Sequence, residues 1–289
     1  MTLVASRSAR GFSLVELLVA MTICAVISAG VVIAVPPARA AFAVIPAEIE
    51  LQQRTRVAVD AITQAIRSAG GDTLPAVLPS SAVSGRFTRL QVINRSVNAA
   101  QGVLYQHQDD VIGALSLAPL PCPALAVVCG FGRGATAVIT DGSGRFDVFG
   151  VASTDAATRR LTPDRAFVPR YAAGSVVVEA DVDTFQLEAQ PDRSRTLVRV
   201  SAGRAVLPIV DRVESLTFEL SGVDDSGALQ PLPIEAFFDG PWLRGYPTGM
   251  YDEDVFRIRH VDVTLTLTGV EPSSVRRSIR FGVMLRNAP

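Results

Sequence analysis

The sequence predicts an α+β protein, in which a long N-terminal helix, kinked at a proline pair, carries a mostly antiparallel β head. Three observations predict it. An apolar run of membrane length opens the chain, and an alanine-rich stretch of helical period follows. From residue 72 onward, short alternating segments are separated by Gly, Pro, Asn and Asp. The expected boundaries are 1–11, a short basic leader; 12–35, a membrane helix; 36–71, an amphipathic helix joining stem to head; and 72–289, a β-rich globular head.

The first element rests on Phe12 to Val35, 24 residues whose only charged member is Glu16. As a helix it spans about 36 Å, enough for a hydrocarbon core of about 30 Å. Arg7 and Arg10 precede it without an acid, which leaves residues 1–11 in the cytoplasm and the rest of the chain across the membrane. Cys24 on this helix reads as a small packing residue. Pro36-Pro37 lack the donors an unbroken helix needs, so a bend or a melted turn is expected there. Beyond it, Pro46 fits near a helix start. Ala58, Ala61, Ile62, Ala65, Ile66 and Ala69 form an apolar face opposite Arg56, Asp60, Thr63, Gln64 and Arg67. Gly70-Gly71 supplies the stop.

In the head, "RFTRLQVI", "TAVITD", "FDVFGVA", "SVVVEA", "TFQLEAQ" and "TLVRVSA" read as strands. Near the C-terminus, Val261, Val263, Leu265 and Leu267 alternate with polar residues, as do Ile279, Phe281, Val283 and Leu285, and Leu216, Phe218 and Leu220. That period of two marks strands buried on one face. "EPSS" between the last two predicts a closing antiparallel pair.

Composition narrows the function. A net charge of -1 gives no electrostatic case for nucleic acid. All 27 basic residues are arginine, which bears on source and not on mechanism. Cys122 and Cys129 flank the short loop "CPALAVVC" and match no zinc pattern; outside the cytoplasm they are expected to form a disulfide worth roughly 2–3 kcal/mol. His107 and His260 have no Cys or His at ligand spacing, and no serine sits in a nucleophile elbow. "GFGRGAT" lacks a phosphate-loop ending and reads as a turn. No enzyme activity and no cofactor are expected. Calcium is left open at the acidic loop Asp252, Glu253 and Asp254, with Asp224-Asp225 behind it, although exposed acidic turns are commoner than sites. The aromatic loop 237–251, with Trp242, reads as a cap on the sheet or a partner anchor.

Glu16 then demands an account, because a carboxylate in a membrane helix is costly without a cation. Arg39, the next cation along the chain, lies more than six turns away. A plain signal anchor leaves the acid unexplained. A secretory signal ending at Ala38-Arg39-Ala40 is too long and contains an acid.

"RGFSLVELLVAMTI" resembles the class III signal of type IV prepilins and type II secretion pseudopilins: a basic leader ending in glycine, then phenylalanine, then glutamate five residues into the mature chain. The stretches "QQRTRVAVDAITQAIRSAGG" and "VDRVESLTFEL" to "RFGVMLRN" are similar to PilW-type minor pilins and GspJ-type pseudopilins. The resemblance implies cleavage between Gly11 and Phe12 by a prepilin peptidase and methylation of the Phe12 amine. It further implies that Glu16 pairs with the amine of a neighbouring subunit. Other pilins or pseudopilins and an inner-membrane assembly platform would be partners. The chain would sit in the inner membrane with its head outside the cytoplasm, and then in a filament or at the cell surface. The alternative is a membrane-anchored or secreted β-domain that binds a ligand or surface and never polymerises.

Overall fold

The proline pair does not divide the N-terminal helix. In a computed structural model the chain forms one α-helix, α1, from Leu14 to Ser68, and Pro36, Pro37 and Pro46 all lie within it. The separate second helix expected to start near Pro46 is thus the lower half of α1. A proline withdraws one donor from the ladder, and turns on either side can carry the helix past that gap. The structure describes residues 13–71, 74–83, 86–95, 99–106, 113–119, 128–141, 145–167, 171–201, 206–223, 227–232, 253–269 and 275–286.

The two halves of α1 have different environments. Leu14–Ile33 is wholly exposed, with a mean hydropathy of 2.3, and is long and apolar enough to cross a membrane. The lower half buries Leu51, Thr55, Ala58, Ile62, Ile66 and Ala69 against the head, at steps of three or four. Ala61 is only half-buried and Arg56, Asp60, Gln64 and Arg67 are exposed, so the periodicity located the docked face to within one residue. Arg54 adds a polar anchor. Its guanidinium, 12% exposed, meets the Asp211 carboxylate at 2.6 Å and also donates to the Asp211 carbonyl. Gly70, at φ 89°, follows the last turn and donates to the Ile93 carbonyl, turning the chain into the sheet.

Fourteen strands lie among the described residues: β1 (Val77–Val83), β2 (Arg86–Arg95), β3 (Gln101–Val103), β4 (Leu115–Ser116), β5 (Thr136–Thr140), β6 (Phe146–Asp155), β7 (Arg160–Pro163), β8 (Val176–Ala189), β9 (Arg195–Ser201), β10 (Val206–Val210), β11 (Val213–Val223), β12 (Leu229–Leu232), β13 (Ile258–Thr268) and β14 (Arg276–Met284). Every described strand pairing is antiparallel. The expected closing pair is β13 with β14, in continuous register from His260 opposite Met284 to Thr268 opposite Arg276; most of the turn joining them lies outside the described residues.

The two segments expected as separate strands in 175–190 are one strand, β8, which pairs with β2, β3, β5 and β9. The acids Asp181 and Asp183 suggest a break in the sequence, but they sit on alternate positions and leave the pleat intact. Buried Asp183 is neutralised by Arg199 at 2.6 Å and accepts a hydrogen bond from Ser201, both on β9. β8 also joins two hydrophobic cores. One gathers α1 with β2, β11 and β13, and the other surrounds Phe131, Phe149, Phe167 and Tyr171. Val177 enters the second and Phe185 the first.

Candidate functional site

The N-terminal turn of α1 is the site with the clearest chemistry. Ser13 is the N-cap in extended conformation (φ -70°, ψ 141°), and Leu17 N–H donates to its carbonyl at 3.1 Å. Glu16 falls in the first turn, where its charge faces the positive end of the helix dipole. Ser13 and Glu16 have the spacing of a capping box, a signal the sequence reading did not use; the Ser13 side chain makes no capping bond. Glu16 is exposed and makes no ion pair among the described residues. Gly11 and Phe12 lie outside the described residues.

The other residues singled out from the sequence are scattered. Cys129 is buried and disulfide-bonded, while Cys24 is free and exposed on the membrane-length half of α1; Cys122 lies outside the described residues. Cys129 and Gly130 both have positive φ (51° and 90°), and Phe131 N–H donates to the Val128 carbonyl at 2.8 Å. That is a tight primed turn, so "GFGRGAT" begins in a turn and ends in β5, as expected. Glu253 and Asp254 open a short 3-10 turn, Glu253–Arg257, while Asp252, His107, Asp224-Asp225 and the aromatic loop 237–251 lie outside the described residues. Among the described residues no group of three or more His, Cys, Asp or Glu is placed to hold a metal.

His260 stands on the solvent-facing side of β13, with Nδ1 3.6 Å from the Asp262 carboxylate. The space above Gly282 on β14 accommodates it, since a Cβ there would lie 2.4 Å from His260 Nε2. Asp262 continues into a charge ladder: Arg280 reaches Asp262 at 3.4 Å and Glu219 at 3.0 Å, and Arg86 meets Glu219 at 3.2 Å. Exposed pairs of this kind hold strand register and contribute little energy each.

Two polar clusters escaped the sequence reading because their members are far apart in the chain. In the second core, Tyr171 Oη donates to Asp147 at 2.9 Å and Arg165 pairs with the same carboxylate at 2.9 Å. Burial outweighs both and pushes Asp147 above the usual carboxylate range, and it pushes the Tyr171 phenol up as well. The other cluster lies where β8 passes between the two cores. A hollow of about 260 Å³ is lined there by Asn94, Glu179, Asp181, Asp183, Arg199 and Ser201, with Gly134, Ala135 and Thr136 on its far wall. It shares Asn94, Asp183 and Arg199 with a second hollow of about 420 Å³ that runs along α1.

Comparison with known proteins bears on the N-terminal segment alone. Neither the curated proteins nor the solved structures contain a match to the chain. Residues 6–32 match the family model described as the prokaryotic N-terminal methylation motif, which takes in Arg7, Arg10, Glu16 and most of the apolar half of α1 and supports a membrane-anchored, type IV pilin-like protein.

Proposed function

We propose that this chain is a minor pilin or pseudopilin, a structural subunit of a type IV pilus or type II secretion-like filament that acts in assembly or at the tip. The observation that carries the reading is the exposed apolar helix Leu14–Ile33 with one acid in its first turn, inside the methylation motif. A prepilin peptidase cuts between Gly11 and Phe12 on the cytoplasmic face and methylates the new amine. In the bilayer Glu16 has no cation, and in a filament the Phe12 amine of a neighbouring subunit supplies one. The apolar face of the stem, uncovered in the single chain, is then covered by other stems. The platform protein and the other pilins act at this step.

The head lies outside the cytoplasm, where a Cys122–Cys129 disulfide is stable. The reading assigns the chain no reaction and no cofactor, and the acidic segment 252–254 is its calcium candidate. The PilW- and GspJ-like character of the head is part of this proposal and rests on the resemblance of its two ends.

The decisive measurement is the amino terminus and intact mass of the protein from membranes of cells that contain a prepilin peptidase. A start at Phe12 with one added methyl supports the reading. A start at Ala41 or an intact Met1 overturns it, in favour of secretion or of a plain anchor.

A further inference from the structure

β14 ends the sheet on one side, where it pairs with β13 and with no other described strand. Leu285 N–H donates to the Arg259 carbonyl and Gly269 N–H to the Val275 carbonyl, both at 2.8 Å. In an antiparallel ladder successive residues turn their backbone groups to opposite sides. The odd-numbered residues of β14 therefore face β13, and Arg276, Ser278, Arg280, Gly282 and Met284 turn N–H and C=O outward. All five are exposed. The edge is proline-free and keeps register with β13 along its whole length. β10, by contrast, carries Pro208 and a register shift, and β4 is two residues long. A long open edge accepts another strand unless something forbids it.

Its charges choose among strands. Residues 276–286 hold four arginines and no acid. Arg276 pairs with Glu214 at 2.7 Å, and Arg280 pairs with Glu219 and Asp262 on the solvent face. Exposed Arg277 and Arg286 make no ion pair among the described residues. A second copy docked edge to edge would set arginine against arginine, which argues against it. Between the two free arginines, Ile279 and Phe281 are only half-buried, on the face packed against the main core. The complement to this pattern is an extended segment with an acid at each end and apolar residues at alternate positions between them.

We infer that the β14 edge is a docking site for an acidic, alternately apolar segment of a different protein, which adds as an antiparallel strand and continues the sheet. Backbone hydrogen bonds to the five outward residues hold it. Its acids meet Arg277 and Arg286, and its apolar side chains cover what Ile279 and Phe281 leave open. The site belongs to the head and stands whether or not the chain enters a filament.

The test uses the full-length chain in detergent and fluorescein-labelled peptides. The peptide EVTVTVTVTE is expected to bind saturably, and KVTVTVTVTK to bind about tenfold more weakly. Arg277→Glu with Arg286→Glu changes two exposed, unpaired side chains and should reverse that order. When the end acids meet Arg277 and Arg286, the threonines turn their N–H groups to β14 and the valines turn theirs away. N-methylation of two central threonines should therefore abolish binding, and N-methylation of two central valines should leave it. No saturable binding of EVTVTVTVTE at about 100 μM overturns the inference. Equal loss from both methylated peptides does so too, as does a charge preference that the double substitution fails to reverse. Each of these results leaves the proposed function standing.

Discussion

Replacing Ile62 by alanine tests how the stem is held to the head. The docked face of α1 is mostly alanine and threonine, so Leu51, Ile62 and Ile66 supply nearly all of its large buried side chains. Ile62 is fully buried in the main core. Alanine removes three carbons, which at about 0.8 kcal/mol each costs roughly 2.4 kcal/mol in transfer alone. The cavity adds to this, because helix and sheet relax only in part, giving an expected loss of about 3 kcal/mol. For a domain of this size that corresponds to a fall in Tm of about 6–12 °C. Thermal unfolding of the detergent-solubilised chain, followed by circular dichroism, reads the change. Val57→Ala, on the same helix but 52% exposed, is the control and should stay within about 0.5 kcal/mol. Equal effects of the two substitutions, or a loss under about 1 kcal/mol for Ile62→Ala, would refute the docking of α1 on the sheet.

Glu16→Gln should leave membrane insertion intact and reduce entry into filaments by about a hundredfold, the effect of losing one ion pair in a low-dielectric setting; filament content at the wild-type level counts against the proposed function. Gly282→Ala forces the His260 ring aside and should cost about 1–2 kcal/mol by denaturant unfolding, a cost that should largely vanish in a His260→Ala background. An unchanged penalty there would locate the strain elsewhere. Asp147 carries a pH signature. Its folded pKa is raised by burial, so it contributes stability that is full below the ordinary carboxylate value and is lost as pH rises through the folded value. Asp147→Asn cannot titrate, and its stability relative to the unmodified chain should therefore improve as pH rises from about 3 to 7; a gap that moves the other way sinks the assignment.

Elements whose signal is local were readable from the chain. The docked helix face follows from spacing of three and four, and β11, β13 and β14 from strict alternation, because each pattern is imposed by burying one side of one element. The N-terminal signal was readable for a related reason: its parts all lie within one short segment. What failed were inferences about continuity. Pro36-Pro37 suggested a bend or a melted turn, and no melted turn interrupts α1; the segments on either side of Asp181 to Asp183 read as two strands, and β8 runs through both. β1, β3, β4, β7, β10 and β12 were not foreseen. They are short or broken by proline or glycine, and their place depends on neighbours that satisfy their backbone groups.

The sequence by itself determined that two arginines, an acid and a membrane-length apolar run follow one another within one short segment, because charge, apolar length and offset are properties of consecutive residues. Tertiary structure alone decided what meets across the head. Arg54 reaches Asp211, Arg199 and Ser201 neutralise Asp183, Tyr171 donates to Asp147, and α1 lies beside β10 with a groove between them. The physical reason is that a buried charge or a groove depends on groups brought together from distant positions, and no local pattern encodes which distant strand arrives.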